Sequence, residues 1–467
     1  MEVAFSADIS TDAYKNKLNA TIASGDLPDV FRWNDRSLFK QLVESGVIAN
    51  LTDVFEAYAL DGVKEYREKF PESFEGVTFD GKMYAFPYMN DNFHQTPFLW
   101  IRDDWLENTG SKAPETVEEM VELARMFKNS DPDGNGRSDT WGLGVNKNIA
   151  ASDLGSITGL LSAYGIPGRQ NNAIFYRRNG KITFAYIQEE AKAALAVARD
   201  MYAEGLIDPE FTVKDASILE QDIASGSLGM LYHMNWGTWY PFNLIYESDD
   251  VITRPYPIPK AEGYEYKVGI EDSRTGDVFM VSSSCKNPEA VIKILNLYYN
   301  TVEASSDADS FITYWSDEQY RLCPIYVGIP TELYAPDLFE AFEKGSGDEL
   351  SGTAKSYYGY VKGFEDGSAT DANAYGTWGQ MFDRGSMAIA LKDYRNDNAI
   401  VSNILSNDIP EIWLQNNGTL GTMVDTAYTD IIVGNKPLDS FDQFVKDWLA
   451  AGGQQTLDEM ERLYPAE

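Results

Sequence analysis

Hydrophobic and polar positions along this chain change period repeatedly. The opening "EVAFSADI" alternates apolar and polar, as a half-buried strand does. "TDAYKNKLNATIAS" follows, with Tyr14, Leu18 and Ile22 at helical spacing and Gly25 as a stop. "LPDVFRW" returns to a strand pattern. "PETVEEMVELARMFKN" predicts an amphipathic helix, with Val117, Met120, Val121, Ala124 and Phe127 on its apolar face. Its Thr116 and Glu119 have the spacing of a capping box, in which two side chains satisfy N–H groups at the helix start. "QEEAKAALAVARDMYAEG" predicts another helix closed by Gly205, and "NPEAVIKILNLYYN" a third that starts near Asn287 and Pro288. Such alternation predicts an α/β fold with mainly parallel sheets. No internal repeat is found. The stretches 301–310 and 342–353 are the most loop-like.

Composition narrows the classes. A chain of 467 residues, 43% hydrophobic, predicts two or three domains and an ample core. Ten Trp, 28 Tyr and 23 Phe exceed what cores need, and aromatics beyond the core often serve ligands. The net charge of −35 repels phosphate backbones and anionic membranes, which argues against a nucleic-acid partner. Two cysteines, Cys285 and Cys323, make neither a disulfide framework nor a CxxC site; free thiols or one disulfide remain open. No apolar run reaches the ~18 residues of a membrane-spanning helix. No signal peptide is evident, and a chain that opens in mid-pattern is expected to be truncated.

"NSDPDGNGRSDTWG" places oxygen donors at every second position. Asp131, Asp133, Asn135 and Asp139 occupy the first, third, fifth and ninth places of an EF-hand-like loop, the Arg137 carbonyl the seventh, and Gly136 the sharp turn. Calcium takes six to eight oxygens, so this spacing points to calcium. The twelfth place is Gly142 instead of a bidentate Glu, and "TWGLGVN" reads as strand. No second helix is there to swing, as a sensor needs. The expectation is a structural clip; the bland alternative is an Asx-rich turn that needs no ion.

Four stretches carry a resemblance: "NATIASGDLPDVFRWNDRSLFKQLVESGVIANLTDVF", "FDGKMYAFPYMNDNFHQTPFLWIRDDWLENTGSKAPETVEEM", "ASGSLGMLYHMNWGTWYPFNL" and "VFMVSSSCKNPEAVIKILN". Their order and spacing over residues 10 to 300 resemble family 1 of the extracellular solute-binding proteins of bacterial ABC transporters, which includes the maltose-binding protein. The acidic loop after the Pro-x-Thr helix is similar to that of alginate- and oligosaccharide-binding, lipoprotein-type members, where it holds structural calcium. Thr140 stands where those members carry a further carboxylate. The family also begins with a signal peptide and a βα unit before the strand that opens this chain, and both are expected to be missing here.

The resemblance implies a two-lobed, type II periplasmic-binding-protein fold with a ligand cleft. It places residues 1–97 and 272–322 in an N-terminal lobe, and 98–271 and 323–467 in a C-terminal lobe holding the loop 131–142. It implies a monomer outside the cell, lipid-anchored or periplasmic, that hands an oligosaccharide to a membrane permease. By resemblance Trp33, Asp35 and Arg36 form a first-lobe sugar loop, Asp91 an acidic ligand residue, and Trp236, with Trp239, a second-lobe stacking site. Trp315 and Trp378 join them on composition and rough position. Indoles cover the apolar C–H face of a sugar, and Asp, Asn and Arg bind its hydroxyls. Each of these Trp has core packing as its alternative, and Asp35 and Asp91 helix capping. Two other classes stay open. A glycoside hydrolase needs a carboxylate pair at defined separation. A calcium-dependent module with a non-sugar ligand would change shape with calcium. With only His94 and His233, and neither GxSxG nor GxxxxGK[ST], triad and P-loop chemistry lack their parts.

Overall fold

The computed structural model describes residues 12–33, 36–89, 92–150, 152, 154–169, 174–271, 275–304, 330–405 and 410–466. Two compact units emerge, each made of chain segments distant in sequence. The first comprises Met1–Asn92 and Ser273–Gly359, the second Phe93–Asp272 and Tyr360–Glu467.

In the first unit, strands β1 (Val30–Trp33), β4 (Ala85–Met89) and β11 (Thr275–Val281) form one sheet in the order β1-β11-β4. A small ladder of β2 (Thr78–Phe79) and β3 (Lys82–Met83) lies between in sequence. Both pairings of β11 are antiparallel. Its Val278, Phe279, Met280 and Val281 are all buried, so both faces of the middle strand are covered. Helices close over this sheet through Leu51, Phe55, Val63, Phe74, Val291, Ile292 and Leu295. The helix Asp12–Ser24 ends at Gly25, whose φ of +74° only glycine adopts at little cost.

In the second unit, β5 (Phe98–Arg102) is buried along its whole length and sits between β8 (Met230–His233) and β9 (Thr253–Tyr256), antiparallel to both. β6 (Phe175–Arg178) and β7 (Lys181–Phe184) form a hairpin whose Asn179 and Gly180 both have positive φ, the two-residue turn that matches strand twist. Only β10 (Val268–Glu271) and β12 (Ile400–Asn403) pair as parallel strands among the described residues. The expectation of mainly parallel sheets is thus corrected. Parallel contacts elsewhere are single bridges such as Leu143 with Ile207 and Gly144 with Leu231, too short to register as strands. The capping box of Thr116 and Glu119 is present at the helix Val117–Asn129.

The units break at Phe93, Ser273 and Tyr360. Residues 330–359 group with the first unit, although the sequence assigned 323–467 to the second lobe. The reason is local. The Thr353 hydroxyl donates to the Glu303 carboxyl at 3.1 Å, and Gly352 lies against the Glu303 backbone so closely that a Cβ there would meet its carbonyl oxygen at 2.7 Å.

Candidate functional site

β5 and β8 are in register with Phe98 opposite His233. The segment entering β5 therefore lies beside the segment leaving β8, and three rings meet there. His94 stacks on Trp236 with centroids 6.0 Å apart and planes at 28°. His233 meets the same indole edge-on, at 4.7 Å and 79°. The His233 Nε2 lies 3.0 Å from the Tyr240 carbonyl oxygen, which fixes that ring. Burial, then the Arg169 charge, then His233, push His94 down to a pKa of about 4, so its imidazole is neutral at pH 7. The Trp236 indole N–H is buried and has no hydrogen-bond partner, and the Gln95 carbonyl oxygen is in the same condition. An unpaired buried donor costs about 1–3 kcal/mol; the core indoles of Trp105 and Trp448 are in the same condition, and what sets Trp236 apart is that its ring is partly exposed. Neither His94 nor His233 was expected to matter; the signal available in sequence was their place at the two ends of paired strands.

The other proposed ligand residues fare differently. Trp239 is half-buried, with its ring laid on the helix Ala372–Met381; a Cβ on Gly376 would meet it at 2.5 Å. Its indole N–H donates to the Gln380 carbonyl oxygen at 3.3 Å. Trp378 is only 5% exposed. It stacks on Phe382 at 4.5 Å, contacts Phe364 and carries the Arg254 guanidinium over its ring at 4.9 Å, while Arg254 pairs with Asp103. That is core packing, and it replaces the ligand role. Trp33 ends β1, paired with Val278, and Arg36 opens the helix Arg36–Glu44. Asp35, Asp91, Trp315 and Cys323 lie outside the described residues. Cys285 carries a free thiol.

The acidic loop joins the helix Val117–Asn129 to the isolated Trp141–Leu228 bridge, so an extended segment follows it and not a second helix. Asp131, Gly134 and Gly136 all have positive φ, which coils the backbone tightly. The Gly136 N–H donates to Asp131 Oδ2 at 3.0 Å, and Arg137 N–H to Asn135 Oδ1 at 2.7 Å. The Asn135 amide nitrogen donates to both Asp133 Oδ2, at 2.7 Å, and Asp139 Oδ1, at 3.1 Å. Asp131 Oδ1 is buried without a partner. Burial first, and then Asp131 and Asp139, hold the Asp133 carboxyl above its usual range, with the Asn135 N–H opposing. Three carboxylates thus crowd one loop with an amide proton between two of them. No His, Cys, Asp and Glu side chains converge as a ready metal cage among the described residues. A cation at the amide position, with Asn135 turned to present its oxygen, suits the donor set. Thr140 is buried and donates to the Phe127 carbonyl at 2.8 Å, so it serves the helix end.

A concavity of about 710 Å³ runs between the helices Glu411–Ile432 and Ser440–Trp448. It exposes threonines but no aromatic face: Phe444, its one ring, is only 8% exposed. Lys436 is paired with Asp430 there, and Asp447 accepts from Gln443. The rings around Trp236 are chemically better suited to a sugar.

The family profile for bacterial extracellular solute-binding proteins matches residues 5–304. The chain belongs to this family. Among relatives of this solute-binding protein, the lipoprotein LipO of Bacillus subtilis is 23% identical over 463 residues, covering 98% of this chain and 85% of LipO. The fructooligosaccharide ABC transporter substrate-binding protein FusA of Streptococcus pneumoniae is 25% identical over 322 residues, 66% of this chain and 57% of FusA. Two solved structures share the two-lobed fold. An HMO-binding, ABC-transporter-associated solute-binding protein of Bifidobacterium longum infantis aligns with a TM-score of 0.65 and 18% identity, covering 97% of this chain and 90% of that one. FusA in complex with kestose gives 0.65 and 17%, with the same coverage.

Proposed function

We propose that this solute-binding protein captures an oligosaccharide outside the cell and delivers it to the membrane permease of an ABC importer. The observation that carries the sugar assignment is the Trp236 indole, held by two imidazoles with its N–H unpaired. A rigid, partly exposed aromatic ring fits the apolar C–H face of a pyranose or furanose. A relative named for fructooligosaccharide transport supports it. Trp33, Asp35, Arg36 and Asp91 remain proposed first-lobe partners, and Trp239 a flank of the second-lobe contact. The protein acts by binding, as a monomer, without turnover. A lipid anchor on the mature protein is part of this proposal and is supported by the lipoprotein relative.

Calcium belongs to the same proposal as a structural clip. Asp131, Asp133, Asn135 and Asp139 would hold it with the Arg137 carbonyl, and the ion would neutralise three carboxylates that otherwise repel. Calorimetric titration with a panel of oligosaccharides, in calcium and in chelator, tests both parts. Micromolar or tighter binding without product formation is expected, together with a lower melting temperature in chelator. Product formation would make the protein a hydrolase. Absence of binding to every sugar would remove the carbohydrate assignment.

A further inference from the structure

The acidic loop contains an Asn-Gly pair, Asn135 and Gly136, whose polar atoms are arranged for a reaction within the chain. The Asn135 carboxamide oxygen accepts the Arg137 N–H at 2.7 Å, an Asx turn that folds the side chain forward over the Gly136 peptide. The Gly136 nitrogen is the atom whose attack on that carboxamide closes a ring. Its N–H donates to Asp131 Oδ2 at 3.0 Å, so a carboxylate stands at the proton that must leave. The carboxamide nitrogen, the group to be expelled, donates to Asp133 Oδ2 at 2.7 Å and to Asp139 Oδ1 at 3.1 Å. Asn135 and Gly136 are both exposed, so water reaches them. A Cβ on Gly136 would meet nothing within 4 Å, so the attacking side is uncrowded. Two further Asn-Gly pairs occur in the sequence. Asn179 and Gly180 form the tight turn between β6 and β7, and Asn417 and Gly418 lie inside the helix Glu411–Ile432, where each N–H is bonded to the carbonyl four residues back.

We propose that the loop modifies itself at Asn135, which loses ammonia to form a cyclic imide with Gly136 and then opens with water to aspartate or isoaspartate. The Asp131 carboxylate takes the Gly136 proton as the nitrogen bonds to Asn135 Cγ. Negative charge developing on the carboxamide oxygen is met by the Arg137 N–H. The Cγ–Nδ2 bond then breaks, and the proton first held by Asp131 ends on the departing nitrogen, which leaves as ammonia. Water adds to one of the two ring carbonyls. Cleavage at Cγ gives aspartate, and cleavage at the main-chain carbonyl gives isoaspartate; no oxidant or reductant is needed. Aspartate adds a carboxylate to those of Asp131, Asp133 and Asp139. Isoaspartate adds a methylene to the backbone and breaks the every-second-position spacing of the donors. A calcium ion held as proposed above would draw the Asn135 oxygen from Arg137 and the Asp131 carboxylate from Gly136, and so block the reaction. This protection rests on the clip reading; the reaction itself does not.

The test is a time course of the folded protein near neutral pH, in chelator and in calcium, read by peptide mass spectrometry. The mass gained on exchanging NH2 for OH locates each converted Asn, and enzymatic methylation of isoaspartate identifies the second product. In chelator, Asn135 is expected to convert at least ~10-fold faster than Asn179 or Asn417, a gain within reach of a positioned general base. Asp131→Asn is expected to slow conversion at Asn135 by at least ~10-fold and to leave the other two pairs unchanged, and Asp131→Glu to restore part of the rate. Calcium is expected to slow conversion at Asn135 alone. Conversion at Asn135 no faster than at Asn179, or unaffected by Asp131→Asn, overturns the proposal. Calcium that raises the melting temperature without slowing Asn135 overturns the protection. Calcium that changes neither overturns the clip reading, and the rates in chelator then decide the reaction by themselves. Should Asp131→Asn not fold, as its melting curve would show, the comparison of the three Asn-Gly pairs in the unaltered protein still decides.

Discussion

Trp236 and Trp378 are the same residue type, and both sit among rings, but their exposure tells them apart. Trp236 is partly exposed, whereas Trp378 is buried and enclosed by Phe364, Tyr375 and Phe382 beneath Arg254. Trp378→Ala is expected to lower stability by about 3–5 kcal/mol, the cost of emptying a core aromatic site, measured by denaturant unfolding. Trp236→Ala is expected to leave folding largely intact and weaken sugar affinity by about 30-fold, the ~2 kcal/mol of a hot-spot aromatic. Titration calorimetry on the two variants separates the roles. Glu303 makes a different argument at this scale. Burial raises its carboxyl to about 7, against hydrogen bonds from Thr353 and Tyr298 that lower it. The unfolded chain therefore releases this proton near pH 4.5, while the folded protein holds it until about pH 7. Between those values the folded state binds more protons, so this group makes stability fall as pH rises, by about 1–3 kcal/mol in all. Glu303→Gln is expected to abolish that decline and to be the more stable protein at pH 8, with little difference at pH 4. Melting curves across pH would show equal slopes for both proteins if the idea is wrong.

At the scale of elements, legibility followed locality. The capping box at Thr116 and Glu119 and the stops at Gly25 and Gly205 depend on a few neighbouring residues, and the sequence displays them in full. Thr116→Ala is expected to cost about 1 kcal/mol, since the Glu119 N–H loses its acceptor; thermal unfolding measures it. The hairpin at Asn179 and Gly180 is equally local: an Asn-Gly turn between "FYRR" and "KITF" carries its signal in ten residues. Strand direction was not local. β11 enters its sheet after the chain has passed through the second unit, and nothing near residues 275–281 states which way its neighbours run. The site divides the same way. Trp236 was found because its flanking sequence is distinctive, whereas His94 needs the pairing of β5 with β8 before it becomes a neighbour. The acidic loop is wholly local, and its ligand test is correspondingly direct. Asp133→Asn with Asp139→Asn is expected to remove any rise of melting temperature on adding calcium. Without calcium the pair is expected to match or exceed the unaltered protein, because two repelling carboxylates are gone.

At the scale of the whole molecule, two units are each assembled from two chain segments, and 73 acidic residues against 38 basic ones surround them. The helix Glu411–Ile432 anchors the second unit, packing on Ala191–Ala203 and on Ser440–Trp448. Lys128 lies in the last turn of the helix Val117–Asn129, at the start of the acidic loop. Its ammonium lies 3.8 Å over the Trp141 ring and donates to the Thr140 carbonyl at 3.0 Å; burial lowers its proton affinity, against the charges of Asp208 and then Asp139. Any ion entering the loop competes for that field and shifts the ammonium against the indole. A cation over an indole displaces its emission energy, so the protein carries its own dye at the loop. Ion uptake is then legible as a colour change in one of ten tryptophans, and the Trp141→Phe variant would go dark to calcium while still being stabilised by it.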